Sequence, residues 1–109
     1  MLKYKFYLNE IGTPQFGIDG GLYDLCELGS LNSKLLNDVV INIRRVMNVE
    51  VDIYSFGYEV YTIECRKETA SIIDTFDNWK VIYELPTLEI YHLMKNWQDF
   101  LQQNQFEIK

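Results

Sequence analysis

The sequence predicts one α+β domain spanning residues 1–109, an antiparallel sheet packed with helices. Alternation at the amino terminus, two apolar stripes of helical period and four short period-two segments between those stripes carry this expectation. With 48% hydrophobic and 24% charged residues, the composition is that of a globular chain rather than a disordered one. A chain of this length buries roughly 60–70% of its unfolded surface, enough to stand without disulfides or a metal.

Leu2, Tyr4, Phe6 and Leu8 alternate with Lys3, Lys5, Tyr7 and Asn9, the pattern of a strand with one buried face. Residues 12–21 hold Gly12, Pro14, Gly17, Gly20 and Gly21, a density that predicts a loop. Residues 22–28 then predict a short helix stopped by Gly29. Ser33 is placed to cap a longer helix in which Leu35, Leu36, Val39, Val40, Ile43, Val46 and Met47 recur at spacings of three and four.

From Val49 the period becomes two. Segments 49–55, 58–66, 69–76 and 79–84 are separated by Phe56-Gly57, Lys67-Glu68 and Asp77-Asn78, which read as hairpin turns. Connections this short join only antiparallel neighbours, so a four-stranded meander is expected beside the amino-terminal strand. Parity sends Val49, Val51, Ile53, Tyr61, Ile63 and Cys65 to the core. It leaves Glu50, Asp52 and Tyr54 beside Val60, Thr62 and Glu64 on the other face. Adjacent Ile72 and Ile73 leave the register of 69–76 open. Pro86 stops the last strand and Thr87 is placed to cap a final helix, with Glu89 near its positive end. Ile90, Tyr91, Leu93, Met94, Trp97, Phe100 and Leu101 form that helix's broad apolar face, with Trp97 its largest anchor.

The charge is unevenly distributed. Residues 50–84 hold eight acids, Glu50, Asp52, Glu59, Glu64, Glu68, Asp74, Asp77 and Glu84, against three bases, and so carry five of the six net negative charges. A negative surface interleaved with tyrosines suits a basic protein partner and repels nucleic acid and anionic membrane. The basic pairs Arg44-Arg45 and Arg66-Lys67 do not form the clustered footprint that nucleic-acid binding uses.

Chemical signatures are sparse. His92 is the sole histidine, and with the isolated Cys26 and Cys65 it does not supply the ligand spacing of a metal site, so no metal or cofactor is expected. Residues 17–21 lack both GxGxxG and the Lys-Ser/Thr of a phosphate loop. Nothing local activates Cys26 as a nucleophile for His92 to serve. Both cysteines sit among apolar neighbours and read as buried free thiols, which favours a reducing compartment. The amino terminus lacks the apolar run and cleavage site of a signal peptide, and no run reaches the roughly 20 apolar residues of a membrane span. A cytoplasmic location is expected.

The stretch Tyr83-Glu84-Leu85-Pro86-Thr87-Leu88-Glu89-Ile90-Tyr91, followed by Trp97, Phe100 and Leu101, resembles small bacterial immunity proteins of polymorphic toxin and contact-dependent growth inhibition systems. The likeness extends upstream through the acidic segments around Phe56-Gly57-Tyr58-Glu59 and Asp74-Thr75-Phe76-Asp77. It implies a non-enzymatic inhibitor that binds a cognate toxin domain, often a basic nuclease, in the cytoplasm. It brings no catalytic residues. From the acidic and aromatic face of this sequence, Glu50, Asp52, Tyr54, Tyr58, Glu59 and Glu64 are the candidate partner-binding residues. A small enzyme or ligand-binding domain using carboxylates in a pocket, such as Glu50 with Asp52 or Asp74 with Asp77, is the alternative reading. A structural adaptor is another.

Overall fold

The computed structural model describes residues 3–18, 28, 31–58 and 61–103, with the backbone alone at Tyr58. Antiparallel strands β1 (Tyr4–Leu8) and β2 (Pro14–Ile18) form a two-stranded sheet, followed by helix α1 (Ser33–Met47). Strands β3 (Tyr54–Tyr58), β4 (Tyr61–Cys65), β5 (Thr69–Asp74) and β6 (Lys80–Pro86) form an antiparallel sheet in chain order, and helix α2 (Thr87–Gln103) closes the chain. The architecture is the expected α+β domain.

The amino-terminal segment departs from expectation at β2, which occupies residues read as a loop. Asn9 shapes the connecting turn, its Oδ1 accepting from the N–H groups of Ile11 (3.1 Å) and Thr13 (2.9 Å). Gly12 sits there at φ 82°. Beyond it Phe16 and Ile18 alternate inward and are buried. Burying two such side chains stabilises by about 1.5–3 kcal/mol each, which outweighs the roughly 0.5–1 kcal/mol that Gly17 costs a strand. Pro14 takes the first strand position, one of the places in a sheet where its missing N–H is tolerated. The short helix expected over 22–28, and Cys26 with it, lies outside the described residues, apart from Leu28, which is buried.

Helix α1 is capped one residue earlier than expected. Asn32, not Ser33, is extended, and its Oδ1 accepts from the N–H of Leu35 at 2.9 Å. Leu36, Val39, Val40, Ile43 and Val46 are buried and Met47 packs beside them, whereas Leu35 stands about 100° around the helix from Leu36 and is exposed.

The end of α1 explains the largest departure. The N–H of Val49 donates to Val46 O (3.0 Å) and that of Glu50 to Arg45 O (2.9 Å), the two bonds of a Schellman motif. Val49 takes the left-handed conformation at φ 63°. Residues 49–53 are consumed in this reversal and are not a strand; Val49 and Ile53 are exposed rather than core-facing.

Strand β3 therefore begins at Tyr54 and runs through Phe56-Gly57, which is not a turn. Tyr54 pairs with Cys65, Phe56 with Ile63 and Tyr58 with Tyr61. A Cβ on Gly57 would lie 2.7 Å from Tyr61 O, so the glycine is required by the close passage of β4 rather than by a turn.

The expected breaks after β4 and β5 are present. Ile72 pairs with Ile63 on the side that meets the helices and Ile73 pairs with Thr62, which resolves the register left open by the sequence. Between β5 and β6 the pairing shifts by one residue, leaving Ile82 without a partner in a bulge.

Helix α2 follows Pro86 directly, and Thr87 is buried inside it rather than acting as its cap. The Thr87 N–H donates to Glu68 O at 3.0 Å and its hydroxyl to Arg66 O, so the residue ties the helix start to the β4–β5 turn. Ile90, Leu93, Met94, Trp97 and Leu101 are buried against α1 and the sheet, with Tyr91 and Phe100 at the margin. Trp97 lies among Phe16, Phe6 and Phe100 at centroid distances of 5.0, 5.3 and 5.7 Å. Cys65 is a buried free thiol, and burial, aided by Glu64, pushes its pKa up to about 12.

Candidate docking surface

The six residues read from the sequence do not share one face. Glu50 and Asp52 are exposed, but in the bend before β3 rather than on the sheet. Tyr54 sits opposite Cys65 on the helix side, half-buried against the core and stacked on Phe56 with centroids 5.7 Å apart. Burial raises its phenol pKa, with Asp38 and Cys65 adding to the effect. Tyr58 ends β3 opposite Tyr61, and Glu59 lies outside the described residues. Glu64 is on the face away from the helices, opposite Ser55 and Ser71, and is held by Arg66 at 2.6 Å. The grouping fails because the α1 reversal delays the strand to Tyr54, and a changed start changes which acids can be neighbours.

Strand order separates the remaining acids further. Tyr54 shares one end of the sheet with Cys65, Ala70 and Leu85, and Tyr58 the other end with Tyr61, Asp74 and Lys80. Glu50 and Asp52 enter at the first end on the β3 edge. The β5–β6 turn leaves the second end beside the β6 edge, a diagonal of roughly 20 Å at ordinary strand spacings.

That distant corner carries a feature the sequence reading missed. Phe76 is 83% and Trp79 65% exposed, and Val81, Ile82 and Tyr83 of β6 are exposed as well, Val81 on the face away from the helices and Tyr83 on the other. The turn is built from short-range bonds. Asp74 Oδ1 accepts from Phe76 N–H at 2.9 Å, Asp77 N–H donates to Asp74 O at 3.3 Å, and Lys80 N–H donates to Asp77 O at 3.1 Å.

Asn78 and Trp79, at φ 55° and 57°, both occupy the left-handed region, as a type I′ hairpin turn requires. Asparagine tolerates that conformation, but for tryptophan it costs about 1–2 kcal/mol. The signal was present in Phe76-Asp77-Asn78-Trp79, a turn-forming pair flanked by two aromatic rings. Periodicity reads strands and helices, and gives a turn side chain no face. Asp74, Asp77 and Glu84 against Lys80 leave the hairpin negative.

Elsewhere the described surface offers less chemistry. A groove of about 180 Å³ between α1 and α2 is lined by Ser33, Leu36, Asn37, Gln98, Leu101 and Gln102, with no carboxylate. Gln98 Nε2 donates across it to Asn37 Oδ1 at 3.2 Å. Among the described residues no group of three or more His, Cys, Asp or Glu side chains is placed to hold a metal ion. His92 is exposed on α2 beside Tyr91, whose hydroxyl accepts from Arg44 at 3.2 Å. Among the described residues no helix is long and apolar enough to cross a membrane. No family model matches the chain, and neither the curated proteins nor the solved structures give a match.

Proposed function

We propose that this chain is an immunity protein, a non-enzymatic inhibitor that binds a cognate toxin domain, a basic nuclease, in the cytoplasm of the cell that makes it. The observation that carries this reading is the combination of large exposed apolar side chains with an acidic surround on the β5–β6 hairpin. A few residues, enriched in tryptophan, tyrosine and arginine, carry most of the energy in protein interfaces. Net negative charge accelerates encounter with a basic partner and discourages nucleic acid from competing. An acidic inhibitor seated in or beside a substrate groove would exclude the polyanionic substrate.

The test is direct. The purified chain, mixed with the toxin domain encoded by the adjacent gene, is expected to form a one-to-one complex and abolish toxin activity at equimolar ratio. Undiminished toxin activity at a large molar excess of the chain would overturn the proposal.

A further inference from the structure

We infer that the β5–β6 hairpin anchors the partner, with Phe76 and Trp79 entering an apolar pocket on a basic protein surface and Asp77 meeting a cation at its rim. This rests on the neutralisation reading and adds where the partner sits and what its surface must offer.

Three independent observations converge on the hairpin. Phe6, Phe16, Trp97 and Phe100 pack together against the core, whereas Phe76 and Trp79 project from one turn into solvent. Trp79 does so from a left-handed backbone that glycine would adopt freely. Trp79 is 65% exposed, which fits a residue retained for an external contact. The charge then selects the partner. Asp74, Asp77 and Glu84 outnumber Lys80 in this segment of a chain with net charge −6, so a basic surface is attracted while a second copy or a nucleic acid is repelled.

Strand addition to the β6 edge fits less well than a side-chain anchor. The bulge at Ile82 interrupts the regular ladder, and Lys80 and Pro86 bound the strand, all features that discourage edge pairing. Val81, next to the tip and on the face away from the helices, is exposed and adds apolar surface beside it.

The two tryptophans make the inference measurable, because Trp97 is 1% exposed and Trp79 65%. The full chain, labelled with 5-fluorotryptophan, is titrated with the catalytically inactivated toxin domain from the adjacent gene and followed by fluorine NMR and calorimetry. The Trp79 resonance should move and that of Trp97 stay. Phe76→Ala combined with Trp79→Gly should raise Kd by at least about 30-fold, and Trp79→Gly alone should melt no lower than the parent, so weaker binding cannot be assigned to misfolding.

A stationary Trp79 resonance in the complex, or wild-type affinity in the double variant, would remove the hairpin inference and leave the immunity reading standing. Absence of both binding and protection with the unaltered chain would instead remove that reading, and this inference with it.

Discussion

Trp97 and Trp79 occupy opposite extremes of the same molecule. Trp97 extends from the middle of α2 into a cluster of three phenylalanine rings, while Trp79 stands on a turn with most of its surface in water. The segments that hold them differ in the same way. The β4–β5 turn is tied to α2 by both Thr87 bonds, whereas the bonds described for the β5–β6 turn are all local to it. One end of the sheet is locked to the helical layer, and the other presents side chains that the described core does not use. On the proposed reading, stability and recognition fall to different turns of one meander.

Substitution at Trp97 should give the largest effect. Trp97→Ala empties the centre of the aromatic cluster and should lower unfolding free energy by about 3–5 kcal/mol, measured by urea denaturation. Phe76→Ala, at an 83% exposed position, should stay within about 0.5 kcal/mol of the parent. Similar losses at both sites would show that the hairpin tip is part of the structural core and would dissolve the contrast.

A smaller effect is expected at the tie itself. Thr87 is fully buried, and Thr87→Val keeps its shape while leaving Arg66 O without its hydroxyl donor. The loss should be about 1–3 kcal/mol, and Thr87→Ser should recover part of it. Because the backbone bond to Glu68 O remains in both variants, their comparison isolates the hydroxyl. Equal stability of Thr87→Val and the parent would mean that the hydroxyl adds nothing and that the β4–β5 turn is held by the backbone bond and by packing.

Much of this arrangement was legible in the sequence, and the misreadings share a cause. The apolar face of α2 was readable because Ile90, Leu93, Met94, Trp97 and Leu101 repeat at helical spacing, and their burial follows. The meander order was readable from short connections, which allow only one kind of neighbour. Residues 49–53 alternate as cleanly as any strand, yet the five positions of β4 are already matched by 54–58, and Arg66 turns the chain before another pair can form. Alternation describes a strand's faces but does not supply its partner. For the same reason the acidic residues were identifiable while their grouping was not: Glu64 and Tyr54 fall on opposite faces once the register is known. At β2 the glycine density concealed Phe16 and Ile18, whose burial decides the segment.

The finest test uses backbone strain. Trp79 ends the β5–β6 turn at φ 57° and Val49 ends α1 at φ 63°, both conformations that suit glycine. Glycine at either site relieves a left-handed penalty of about 1–2 kcal/mol but makes the unfolded chain more flexible, at a cost of about 0.4–1 kcal/mol. Trp79→Gly and Val49→Gly should therefore each stabilise by up to about 1.6 kcal/mol, readable as a raised Tm. Their consequences should then diverge. Val49 belongs to the helix terminus at the diagonal corner from the hairpin, so Val49→Gly should bind the toxin domain as the parent does, whereas Trp79→Gly should bind it weakly. A stabilised Trp79→Gly with undiminished binding would leave the strained ring without an external role. A destabilised one would mean that Trp79 contributes packing to the hairpin that its exposure conceals, and recognition and stability would no longer be separable at that end of the sheet.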